Sequence, residues 1–111
     1  MRVRLTMPLV LENYVREPDD AGGATGEWRP LGTLWAGLRL GSGRDAEGVG
    51  ATLGLIRWRV TVRAASEGSP SRPRAGQRFR SGNRYLLIRA VGEADTRGRF
   101  LTCFVEEETA A

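Results

Sequence analysis

The carboxylates at Asp19-Asp20 and at Glu106-Glu107-Glu108 come closest to a catalytic pattern in this chain. Adjacent carboxylates can run general acid–base chemistry or hold a metal, provided a pocket frames them. The first pair lies in a turn-rich segment and the second cluster near the chain end, and neither has a framing pattern around it. The usual partners of catalysis are absent from the whole sequence. All 17 basic residues are arginine, with no lysine and no histidine. Without lysine there is no phosphate loop of the usual kind and no Schiff base. Without histidine there is no Ser-His or Cys-His nucleophile pair and no histidine zinc site. Cys103 is the single cysteine, so neither an internal disulfide nor a thiolate metal site can form, and a cytoplasmic origin is expected. The expectation is a protein that is not an enzyme and has no catalytic residues, no cofactor and no metal.

What remains is recognition chemistry. Ile56-Arg57-Trp58-Arg59-Val60-Thr61-Val62-Arg63 alternates apolar and polar residues through eight positions. That period of two marks a strand with one face in a core and one face outward. The outward face carries Arg57, Arg59, Thr61 and Arg63, with no acid among them. Guanidinium groups make planar, bidentate contacts that suit interfaces. Charge is also zoned along the chain. Residues 17–27 hold four acids and no base, residues 57–89 hold nine arginines against Glu67, and five acids follow from Glu93 onward. Such zones fit contacts between copies or with neighbours, or pairing within one molecule.

The elements that would position these residues read as mainly β. At 111 residues with net charge +4, the chain is expected to be one domain, 1–111, built as a small β-barrel or sandwich of about six strands with long loops. No run reaches the length of a membrane-spanning helix, and the N-terminus lacks a signal-peptide pattern. Residues 8–16 read as a first strand, and residues 18–28 as a turn-rich loop. In 34–40, Leu34, Ala36, Leu38 and Leu40 share one face, with Trp35, Gly37 and Arg39 on the other. Residues 41–54 read as a long loop with five glycines, whose length marks it as a functional element or, alternatively, a floppy surface loop. Prolines keep 65–76 out of a central strand. Gly82-Asn83 offers a tight hairpin turn, followed by a strand with Leu86, Ile88 and Ala90 on one face. A turn over 94–99 leads to a last strand, 99–107, whose faces are expected to be covered by core on one side and by a loop or another subunit on the other.

Of the three tryptophans, Trp58 belongs to the inward face of its strand and Trp28 to the loop before the second strand. Trp35, opposite the leucines and near Arg39, is the candidate interface anchor, the alternative being that it packs under the 65–76 loop. Two readings follow from the residues: an assembling structural protein, or a small basic barrel that contacts nucleic acid through Arg57, Arg59 and Arg63.

The order of elements adds to this. A first strand, then DDAGGATGEW, then LWAGLRLGSG, resembles the opening of phage head–tail adaptor proteins. The likeness continues through a loop with Glu47, the strand LIRWRVTVR, the segment RPRAGQRFRSGNRYLLIRAV and the hairpin EADTRGRFLTCFVEE. It covers almost the whole chain and rests on order and spacing rather than on one motif. The resemblance implies a head-closure or stopper subunit at the head–tail junction of a phage or a phage-like gene transfer agent, made in the bacterial cytoplasm. It implies a ring, commonly of twelve copies, between portal or adaptor proteins on the head side and tail terminator or other tail proteins on the tail side. DNA would pass through the channel, and no membrane is involved. Carried onto this chain, the channel loop is 41–54, with Arg44, Asp45 and Glu47 as its charged positions. Trp35, Arg39, Arg57, Arg59 and Arg63 are then the expected contacts between proteins.

Overall fold

The computed structural model describes residues 3–41 and 53–110. Six strands appear among them: β1 (Met7–Pro18), β2 (Ala24–Leu40), β3 (Leu53–Arg63), β4 (Arg78–Ser81), β5 (Arg84–Glu93) and β6 (Phe100–Ala110). Every pairing is antiparallel, and the order β1-β2-β3-β6-β5-β4 closes on itself as a barrel. Closure is what removes the unpaired edges that an open sheet would expose.

The alternation in β3 does what its period dictates. Val60 and Val62 are fully buried, Trp58 packs against the core, and Arg59 and Arg63 face out. Leu9 and Leu11 of β1, Phe79 of β4, Leu86 and Ile88 of β5, and Leu101, Cys103 and Val105 of β6 complete the interior. Burying a side chain as large as Phe79 stabilises by roughly 2–3 kcal/mol. Burial also pushes the Cys103 thiol up to about 12, which leaves it protonated and unreactive at neutral pH.

Three expectations are corrected. Residues 18–28 are mostly strand, not loop: β1 runs to Pro18 and β2 starts at Ala24. The turn is confined to five residues because Asp19 closes it, with Oδ1 accepting the N–H groups of Ala21 at 3.0 Å and Gly23 at 2.8 Å, while Gly22 takes a φ of +84°. Ala90 is exposed rather than inward. A bulge between Ile88 and Ala90 shifts the phase of β5, so Val91 packs against the core instead. On the outer face of β6, Phe104 is 42% exposed among the described residues, which leaves the expected cover by another subunit open. Leu53 and Gly54, expected in the long loop, belong to β3. The hairpin at Gly82-Asn83 forms as expected, with positive φ at Gly82 only, the pattern of a II′ turn.

The β1–β2 hairpin extends beyond the barrel. β1 meets β4 only over Val10–Glu12, and β2 meets β3 only from Ala36 onward. Residues 13–18 and 24–29 therefore form a two-stranded arm, an arrangement that is marginal in water on its own. Side chains support it. Tyr14 and Trp28 sit opposite each other with ring centroids 5.2 Å apart, edge to face, and the Tyr14 ring lies where a side chain on Gly26 would go, so the aromatic covers the bare glycine backbone. At the root, the Arg78 guanidinium lies 4.2 Å from both the Trp28 and Tyr85 ring centroids, and its Nε donates to Glu12 at 2.7 Å. A bulge beside Leu11 and Glu12, with Leu31 as the extra residue of β2, accompanies the burial of both.

Candidate functional site

Strand register arranges the outward side chains of β2, β3, β6 and β5 in rows. One row is Arg39, Arg59, Phe104 and Ala90. The next is Gly37, Thr61, Thr102 and Gly92. Beyond it, Arg63 pairs with Phe100, and Trp35 precedes Ala36 at the end of the β2–β3 ladder. The middle row carries nothing larger than threonine, so it forms the floor of a trough between two bulky walls. Trp35 is 59% exposed. At the β2 end, the Arg4 carbonyl lies over Gly37 where a side chain would point, so the N-terminal segment closes the trough there.

The arginines of this face are not alike. Arg57 donates through Nε to Glu106 at 3.1 Å. Arg59 lies 5.7 Å from the Phe104 ring centroid and Arg63 lies 5.8 Å from that of Phe100. Arg39, Arg59 and Arg63 make no ion pair among the described residues. Cations over aromatic faces keep their charge available to a partner. The expected interface set is thus brought onto one side of the barrel, with Arg57 committed to an acid at its margin. Arg44, Asp45 and Glu47 lie outside the described residues.

Carboxylates elsewhere serve the frame. Glu12 is buried and accepts from Arg78 Nε at 2.7 Å and Arg80 Nε at 3.0 Å. Burial raises its pKa most strongly, but the two arginines together outweigh that and hold it below the ordinary value of 4.5. Glu107 is also buried; it accepts from Arg84 Nε at 2.7 Å and Nη2 at 3.0 Å, and from Trp58 Nε1 at 2.9 Å. The Arg84 hydrogen bond lowers its pKa more than burial raises it. Glu106 is lowered first by Arg89, against burial, with help from Arg57. A carboxylate whose folded pKa is depressed contributes stability above its unfolded pKa, and that contribution is lost as pH falls through the folded value. The melting temperature should therefore be flat from neutral pH down to about pH 5 and fall progressively below it. A Tm that stays level to pH 3 would show that these pairs contribute nothing.

Sequence reading missed two features. Phe104 belongs to the exposed face, and the alternation of Leu101, Cys103 and Val105 carries that signal. The burial of Glu12 and Glu107 has no local signal, because their arginine partners are distant in the chain.

The chain is similar in fold and sequence to a chain from the virion of a native gene transfer agent particle. The two are 43% identical with a TM-score of 0.84, over 99% of this chain and 100% of the other. It shares its fold with protein SF1141 from Shigella flexneri 2a, at 24% identity and a TM-score of 0.68, over 94% and 93% of the two chains. No curated protein matches. Residues 1–108 match the family described as phage head completion protein. A match over nearly the whole length means that this chain belongs to the phage head completion protein family.

Proposed function

We propose that this protein is a head–tail connector subunit that closes the filled head of a phage or gene transfer agent particle. The observation that carries the reading is the end-to-end likeness to a chain of a native gene transfer agent virion. In this reading, copies form a ring, commonly of twelve, with portal or adaptor proteins on one side and tail terminator or tail proteins on the other. The loop before β3, residues 41–52 with Arg44, Asp45 and Glu47, faces the channel and helps retain DNA. Trp35, Arg39, Arg57, Arg59 and Arg63 make contacts between proteins. The geometry agrees with this in one respect: a ring needs two different complementary patches on each copy, and the chain has an acidic arm and a basic, aromatic sheet face.

The second reading, a basic barrel binding nucleic acid through Arg57, Arg59 and Arg63, draws on the exposed Trp35 and Phe104 beside those arginines, a pairing that can stack bases. Mass measurement of the purified protein, alone and with portal complex, separates the two. The connector reading expects rings or a portal-bound ring and no duplex binding by the monomer. A monomer that binds duplex DNA with a steep salt dependence, and that neither assembles nor binds portal, would replace it with the second reading.

A further inference from the structure

We propose that the trough across β3, β6 and β5 seats the acidic hairpin tip, Pro18–Ala24, of a second copy of this chain. The inference rests on the ring reading above and names the contact that joins neighbours. The floor, Thr61, Thr102 and Gly92, is small. The walls stand four residues apart along the strands, about 13 Å at strand rise, which admits one narrow segment between their side chains. The N-terminal segment closes the β2 end at Gly37, so an occupant enters from the β5 side.

The tip fits in size and charge. Its residues are Pro, Asp, Asp, Ala, Gly, Gly and Ala. Residues 16–29 hold four acids against Arg16 and Arg29, a net −2. The trough offers Arg39, Arg59 and Arg63 against one acid at its rim, Glu93, a net +2. Asp19 is spent on closing the turn, which stiffens the tip before binding and lowers the ordering cost. Asp20 is left exposed. A molecule's own tip does not reach its own trough. Ala24 and Trp35 lie on one strand, eleven residues or about 36 Å apart. The contact is therefore head-to-tail between copies, the kind that closes into rings.

The test uses the full chain carrying Asp20→Cys and Gly92→Cys together. A side chain at Gly92 meets nothing within 4 Å and the backbone there is ordinary. Cys103, buried with its thiol pushed up to about 12, stays out of the reaction. Mild oxidation of assembled protein should give a ladder of covalent multimers, and neither single variant should give one. In parallel, Asp20→Arg and Arg59→Glu should each weaken assembly about tenfold, and their combination should recover most of it. Rings that form normally in both charge variants, or that yield no ladder, overturn the inference and leave the ring reading standing. Wild-type protein that never assembles removes the ring reading and this contact with it. Duplex DNA bound by wild-type monomer and released by Arg59→Glu overturns the inference in favour of a nucleic-acid occupant.

Discussion

Particles whose connector has residues 42–52 replaced by about five glycine and serine residues should assemble and then fail to retain DNA. The replacement removes Arg44, Asp45 and Glu47 along with most of the loop. The linker length follows from the ends it must join. Gly41 donates its N–H to the Arg57 carbonyl at 2.8 Å, and Leu53 lies four strand residues before Arg57, so the gap is about 13 Å. The barrel should keep its stability, because shortening the loop this far changes closure entropy by only about 0.7 kcal/mol, and in the favourable direction. The pairs that hold β2 to β3, Ala36↔Val62 through Leu40↔Trp58, are left intact. The trough and arm are untouched as well, so assembly should persist. Nuclease-protected DNA in purified particles is the measurement, with Tm of the isolated variant as the control. Particles that protect as much DNA as wild type would end the proposal that this loop helps hold the genome.

Glu107→Ala should destabilise the barrel by about 3 kcal/mol, at the low end of the range for breaking a buried charge pair. The carboxylate is buried, but Arg84 is 41% exposed in its side chain, so water takes up part of that charge when its partner goes. Trp58 Nε1 also loses its acceptor. Glu107→Gln should cost less, since an amide oxygen still accepts from Trp58 or Arg84. Glu108→Ala, one residue on and exposed, should stay within about 0.5 kcal/mol of wild type. Urea unfolding midpoints at pH 7 give all three values. Equal losses at 107 and 108 would mean that burial and the three hydrogen bonds contribute nothing.

The contrast between two neighbouring glutamates also marks the boundary of what a sequence discloses. Ile56–Arg63 announced a half-buried strand because side chains on a pleated backbone must alternate. Gly82-Asn83 announced its hairpin because glycine alone takes positive φ without cost, and the absence of histidine and lysine removed whole classes of chemistry. These are local facts, settled within a few residues. The order of strand and turn segments carried the family likeness, again without any long-range pairing being known.

What local patterning left open was decided by register and closure. Glu107 meets Arg84 and Trp58 across separations of 23 and 49 residues, and Glu12 reaches Arg78 and Arg80 across 66 and 68. Much of the charge zoning is therefore consumed inside one molecule, which leaves Arg39, Arg59 and Arg63 distinct from arginines that look identical in sequence. The bulge at Ile88/Ala90 turned Ala90 outward, since one extra residue inverts every face after it. Residues 18–28 became an arm because cross-strand packing of Tyr14, Trp28 and Gly26 outweighs their turn-forming composition. By itself, the sequence determined a β chain built for recognition, because alternation and missing reactive groups are properties of single segments. Only the tertiary structure decided which arginines stand, among the described residues, without an ion partner on the face of Trp35 and Phe104, because a charge is free or satisfied only once strands distant in the chain have met.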